Sequence, residues 1–182
     1  MSVRGLQEKL TSRLLWQKQA HELELGDKVL AKYLPELRKW QSNRLRESFN
    51  RFIEKPKTKP AAKFFLSDLY GDQEFLKRDQ EAAKILPMMS KILPLNLLTA
   101  AVDAIELSVL SHALDMRMAR LLAKALSNGQ ALDSQTYQKV YRQLGYPRLR
   151  KRQLALIMDV GYRLDSVVQK HGIAKLLAAS RM

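Results

Sequence analysis

The stretch NLLTAAVDAIELSVLSHALDMRMARLLAKAL, residues 96–126, decides the fold class. Leu98, Val102, Ile105, Val109, Ala113, Met116 and Leu122 recur at mostly three- and four-residue steps, which is the α-helical period. Apolar residues also occupy many positions between them, so this helix is expected to be buried on more than one side and to lie centrally. Asn128-Gly129 follows as a stop. No alternating strand pattern of useful length occurs before or after it.

Helical periodicity continues outward in both directions. Upstream, a helix is expected from about residue 4 to residue 25, closing near Gly26, with Asp27 placed to cap its successor. Leu30, Leu34, Leu37, Trp40, Leu45, Phe49 and Phe52 then form one apolar stripe. Pro35 interrupts it, and the helix is expected to kink there or a new one to begin. EKPKTKPAAK, residues 54–63, reads as a basic, proline-punctuated connector. FFLSDLYGDQEFLKRD, residues 64–79, reads as a helix stop followed directly by a helix start. A short helix over Ala61 to Tyr70 ends at Gly71, and Asp72 caps the next, which carries Phe75, Ala82, Ala83 and Leu86. Pro87 and Pro94 bracket the apolar turn MMSKIL.

Downstream, a helix is expected from Ser134 to Leu144, stopped by Gly145 and Pro147. Another follows from Arg148 to Lys170, with Leu149, Ile157, Val160, Leu164 and Val168 facing inward. Gly172 closes it before the last segment, IAKLLAASRM. The expectation is an all-α, single-domain bundle of about six to eight helices over residues 1–182. Its parts are the long N-terminal helices (1–54), a basic linker (55–63) and a helical core (64–182).

Composition agrees and excludes several chemistries. Glycine (7) and proline (6) are scarce in 182 residues, and good helix formers dominate. The chain has no cysteine, which removes disulfides, thiolate metal sites and cysteine nucleophiles. The N-terminus lacks a signal-peptide apolar core. The longest nearly uncharged run, Ile92 to Val102, is about half of what a membrane helix needs. A cytoplasmic protein without a membrane span is therefore expected. Net charge is +14, unevenly spread. Residues 1–63 carry 15 cations against 7 acids, residues 64–126 carry 7 against 8, and residues 127–182 carry 10 against 3. Basic ends favour acidic partners, nucleic acid among them, although a lysine- and arginine-rich helical surface gives the same count.

Motifs for catalysis or cofactors are missing. The three histidines, His21, His112 and His171, do not stand at helical metal-ligand spacing with one another or with a nearby glutamate. Asp103 and Glu106 share a face of the central helix, and His112 and Asp115 share another, so one ion cannot reach all four. The pair at 103 and 106 is expected to be a solvated or salt-bridged face. Glu106 and Asp115 stand among apolar residues, where burial raises a carboxyl pKa. Pairing with an arginine such as Arg78, Arg117 or Arg120 is the expectation. A haem ligand at His112 is the sharper alternative to a hydrogen-bonded core histidine. Neither a phosphate-binding glycine loop nor a serine-hydrolase elbow is present. No cofactor is expected.

RLRKRQ, residues 148–153, places four cations at a helix start, the end where the helix dipole prefers anions. That cost points to a partner or to neutralising carboxylates. Lys55, Lys57, Lys59 and Lys63 with Arg148, Arg150, Lys151 and Arg152 are the candidate nucleic-acid contacts. Tyr141, Tyr146 and Tyr162 could stack on bases, though half-buried core positions are expected for them. Trp16, Trp40, Phe49, Phe52, Phe64, Phe65, Tyr70 and Phe75 are expected to pack in the core. An exposed aromatic groove for a partner helix or flat cofactor is the alternative.

FFLSDLYGDQEFLKRD, preceded by LRKWQSNRLRESF and followed by ILPMMSKILP, resembles an uncharacterised bacterial all-helical family. The likeness continues through AIELSVLSHALD, YQKVYRQLG and RQLALIMDVGYRLD, and so covers roughly residues 37 to 177. The resemblance implies the fold class and no established activity. Its marked positions fall on Trp40, Phe64, Phe65, Asp68, Tyr70, Gly71, Phe75, Arg78, Asp79, Glu106, Asp115, Tyr137, Tyr141, Arg152, Gln153, Gly161 and Asp165. Members of that family continue past the position of Met182 with a further aromatic-rich helical segment. A site that needs it is expected to be incomplete here or supplied by a second chain.

Three functional readings follow. The first is a non-catalytic protein that binds a protein partner or self-associates. The second is a nucleic-acid binder using the basic segments. The third is an enzyme or cofactor binder with a polar pocket built from Asp68, Tyr70, Arg78, Asp79, Glu106 and Asp115, residues that otherwise lock a structural corner.

Overall fold

Five helices account for nearly all of the described residues, and no strand occurs among them, in the computed structural model of the chain. The structure describes residues 3–56, 58–59, 62, 95–126 and 130–171, with side chains described for residues 4–56, 58–59, 62, 95–126 and 130–163. The helices are α1 (Val3–Gly26), α2 (Lys28–Ile53), α3 (Leu95–Ala125), α4 (Ser134–Leu144) and α5 (Pro147–His171). The all-α expectation holds. Five helices stand among the described residues where six to eight were expected, and the short helices expected at Ala61–Tyr70 and from Asp72 lie outside those residues.

Local chemistry explains the boundaries. Asp27 has an extended backbone at the α1–α2 junction, and its Oδ1 accepts from the N–H groups of Val29 (2.8 Å) and Leu30 (3.2 Å). Two of the orphan donors of α2 are thereby satisfied. Asp133 serves α4 in the same way, accepting from Thr136 N–H at 2.7 Å. The turn from α4 to α5 uses Gly145 (φ 68°) and Tyr146 (φ 55°) in left-handed conformations. Glycine is at ease there and tyrosine is not. Pro147 then opens α5 at the first helical position, where its missing N–H costs nothing.

At Pro35, where a kink or a new helix was expected, no new helix begins. α2 runs through the proline without interruption. Leu30, Leu34 and Leu37 are fully buried on either side of it, and this anchoring outweighs one lost backbone hydrogen bond.

The chain gathers into two compact units. The described part of the first comprises residues 3–21, 95–113 and 146–171, and that of the second comprises residues 22–56, 58–59, 62, 114–126 and 130–145. In the first unit Leu6 and Leu10 of α1 pack against Leu98 and Val102 of α3, flanked by Leu14 and Ile105. Leu156 and Val160 of α5 are buried in the same unit. In the second, Leu30, Leu34 and Leu37 of α2 are buried, as are Met118, Leu122, Val140 and Leu144. Length and composition alone would let α3 cross a membrane, a property it shares with the core helices of soluble proteins.

Leu98, wholly enclosed, should cost about 2–5 kcal/mol when replaced in Leu98→Ala. Leu154→Ala, at an exposed position of α5, should change stability by no more than about 0.5 kcal/mol. Urea unfolding of the two variants measures the contrast, and equal losses would refute the burial pattern.

Candidate functional site

The first unit is organised around two carboxylates. Asp103 and Glu106 lie one turn apart on α3 and are each only 8 % exposed. Lys9 and Arg13 reach them from α1, and Arg152 and Arg163 reach them from α5. Lys9 Nζ stands 2.5 Å from Glu106 Oε2 and 3.9 Å from Asp103 Oδ1. Arg152 Nε donates to Glu106 Oε1 at 2.8 Å. Arg13 Nη2 is 3.9 Å from Glu106 Oε2, and Arg163 Nε is 3.5 Å from Asp103 Oδ2. The spacing that builds this face is plain. Residues 9 and 13 are one turn apart on α1, as are 103 and 106 on α3, while 152 and 163 are three turns apart on α5.

Burial pushes the Glu106 carboxyl up, but the hydrogen bonds and charges of Arg152 and Lys9 more than offset this and hold it below the usual carboxylate range. Glu106 therefore stays ionised at neutral pH with both oxygens engaged. Such a carboxylate ties helices together and makes a poor general acid. The salt-bridged face expected at 103 and 106 is what the structure shows, with different partners from those foreseen for Glu106. Arg152 and Lys9 hold Glu106, whereas Arg120 donates to Asp27 Oδ2 from Nε (3.2 Å) and Nη2 (3.0 Å). Asp115 accepts from Gln41 Nε2 at 3.1 Å in the second unit. Nine residues along an α-helix separate Glu106 from Asp115 by half a turn of azimuth and about 13.5 Å of rise, so they do not share a site.

Arg152 thus neutralises a carboxylate, so one of the four cations at this basic helix start is matched within the chain. Arg150 Nη1 donates to Gln153 Oε1 (3.0 Å), and Gln153 Nε2 donates to Ser111 Oγ (2.7 Å), so this edge of α5 also bonds to α3. Arg148 and Lys151 are exposed, as are Lys55 and Lys59. Lys57 and Lys63 lie outside the described residues. So do Asp68, Tyr70, Arg78 and Asp79, together with Phe64, Phe65 and Phe75. Among the described residues no three histidine, aspartate or glutamate side chains form a metal-holding group.

Tyr137 is buried in the second unit and stacks on Trp40 with ring centroids 4.0 Å apart. Tyr141 stacks on Tyr137 at 6.1 Å, and the Arg44 guanidinium lies 5.7 Å from the Trp40 ring and 5.5 Å from the Tyr137 ring. Gln41, Arg44, Leu45, Ser48 and Tyr137 line an open cavity of about 230 Å³ beside the stack. Trp16 is partly exposed rather than a core residue.

Tyr162 departs furthest from a half-buried core position. It is 68 % exposed, in line with Leu154 (63 %) and Met158 (54 %) on the outer side of α5. Leu154 and Met158 are absent from the inward row expected for this helix. Their signal is a second i, i+4, i+8 apolar row, half a turn from the row carrying Leu156 and Val160.

Replacing one cation, as in Lys9→Met or Arg152→Met, should cost about 1–3 kcal/mol, because Glu106 keeps its other partner. The double variant should cost more than the two singles together, since it leaves the buried charge with Arg13 alone at 3.9 Å, and Glu106→Gln added to it should restore most of the loss. The Glu106 pKa is lower folded than unfolded, where about 4.3 is usual. Its contribution is therefore present above that value and is lost as the pH falls from there through the folded value. Wild type should lose stability across that acid window more steeply than Glu106→Gln. Denaturant titrations at several pH values measure both effects, and additive single-site losses would overturn the assignment.

A search of curated proteins returns no significant match to this chain, and a search of solved structures returns none. A family model does match, described as a domain of unknown function, DUF8198, over residues 20–182. That match takes in both units, including Glu106, Arg152 and the exposed row on α5. The chain therefore belongs to the DUF8198 family, an uncharacterised family to which no function is assigned.

Proposed function

We propose that this chain is a non-catalytic helical protein that binds a protein surface through the outer face of α5. The observation that carries this reading is the exposed row Leu154, Met158 and Tyr162. Three large apolar side chains at i, i+4 and i+8 are the anchors of helix-mediated recognition, and contiguous exposed apolar surface marks interaction sites. Lys151 and Arg148 border the row, so the partner surface that fits is apolar with acidic groups at its margin.

Electrostatics favour protein over nucleic acid as the partner. Of the four cations in RLRKRQ, Arg152 is bound to Glu106 and Arg150 to Gln153. Phosphate contacts at this helix start would fall to Arg148 and Lys151. The Glu106 carboxylate, ion-paired on both oxygens, supports a structural role over acid–base work.

A photo-crosslinking amino acid substituted at Tyr162, in cells, should yield a discrete protein adduct. The same group at Lys139 on the exposed side of α4 should not. Absence of an adduct at 162, or an adduct formed only with nucleic acid, would sink this reading.

A further inference from the structure

The cavity beside the Trp40–Tyr137 stack lies wholly within the second unit. Gln41, Arg44, Leu45 and Ser48 stand at i, i+3, i+4 and i+7, so one face of α2 supplies four lining side chains, and Tyr137 of α4 completes the lining. Its volume is about 230 Å³. Pockets for drug-sized ligands run from roughly 300 to 1,000 Å³, so this one suits a smaller molecule.

Arg44 is held in place and yet unspent. Its guanidinium lies 5.5 Å from the Tyr137 ring centroid and 5.7 Å from that of Trp40. Those rings are stacked on each other, and Tyr137 is only 8 % exposed, so the support is rigid. Ring contacts order a long side chain without consuming its N–H groups. Among the described residues no carboxylate pairs with Arg44, and no acceptor takes a hydrogen bond from its guanidinium. Arg38, Arg120 and Arg152 differ, being ion-paired with Glu24, Asp27 and Glu106. Arg44 is also exposed, which gives a ligand access to it. Its planar fork of five donors matches the two oxygens of a carboxylate.

The remaining lining narrows the ligand. Leu45 and the Tyr137 ring are apolar wall. Gln41 Nε2 donates to Asp115 Oδ1 at 3.1 Å, and Ser48 Oγ donates to the Arg44 carbonyl at 2.9 Å, so both side chains are anchored. Arg44 is the one cation among the lining residues, and a single positive charge balances a monoanion rather than a phosphate dianion.

We infer that this cavity binds a small carboxylate with an apolar or aromatic body, the carboxylate on the Arg44 fork and the body against Leu45 and Tyr137. The site uses none of the residues of the exposed α5 row and does not depend on the protein-binding reading. A side chain ordered before the ligand arrives lowers the entropy cost of binding, although a ligand this small still binds weakly, at about 1 mM.

The test uses the full chain with sodium benzoate as probe and sodium chloride to hold ionic strength constant. The chain has two tryptophans, so Trp16→Phe leaves Trp40, beside the Arg44 guanidinium, as the fluorescent reporter. Benzoate should change its emission saturably, whereas benzamide, neutral and of the same shape, should not. Arg44→Gln should weaken benzoate about tenfold or more. Ser48→Phe, which fills the cavity and keeps the cation, should abolish binding. Arg46→Gln, an exposed cation of α2 outside the lining, should leave the affinity unchanged. Circular dichroism confirms that each variant is folded. The inference is overturned by the lack of a saturable change up to about 20 mM benzoate. Equal loss in Arg46→Gln, the result of general attraction to a basic surface, overturns it too. So does benzamide binding as tightly as benzoate, or inorganic phosphate binding more tightly.

Discussion

Glu106 is a carboxylate largely withdrawn from water, and a charge in that position must be matched by charges brought to it. Burying an ion costs several kcal/mol even after relaxation, so the fold that encloses Glu106 is one in which Lys9 and Arg152 arrive with it. This requirement sets the relation of three helices in the first unit. α1 presents Lys9 and Arg13 on the face that also carries Leu6 and Leu10, so its apolar packing and its cations address α3 together. α5 presents Arg152 on the edge that also carries Gln153. A slip of one residue in either helix would turn a cation away from the carboxylate and leave a buried charge alone.

The second unit uses similar physics at its own corner. Asp27 caps α2 with one oxygen and accepts from Arg120 with the other. The Arg120 hydrogen bond and the Leu30 N–H hold its carboxyl below the usual range. One side chain therefore starts α2 and ties that start to α3. Trp40, Tyr137 and Arg44 make a comparable joint between α2 and α4, with stacked rings under a guanidinium. Both joints rely on groups whose geometry is directional, whereas the leucines around them supply bulk burial without direction.

α5 connects this internal architecture to the proposed function. Its inner edge is used in full, by ion pairs, by the Gln153–Ser111 hydrogen bond and by Leu156 and Val160. Its outer row satisfies nothing inside its own unit. An apolar row in water is a standing cost that association relieves, which is why it carries the functional reading where the polar clusters do not.

Helix positions are written in the order of the residues. Period, capping residues and glycine stops are local properties, so Asp27 and the 134–144 boundaries are legible from the residues alone. Of the two outcomes expected at Pro35, a kink or a new helix, the new helix does not occur, because the local breaker is outweighed by Leu30, Leu34 and Leu37, whose burial is not local. The candidate site is legible in residue type and illegible in pairing. Glu106 stands out as a carboxylate needing a cation, yet nothing in the order of residues shows that its partners are 97 residues before it and 46 after it. Arg152 reads equally as a nucleic-acid contact or as a cation awaiting a carboxylate for the same reason. Tyr162 reads as core because an aromatic residue at helical spacing looks alike on either face, and the direction it faces is settled only when α3 covers one side of α5. Periodicity says that a helix has faces. Tertiary packing, through the desolvation of Glu106 and the burial of Leu156 and Val160, decides which face is turned inward.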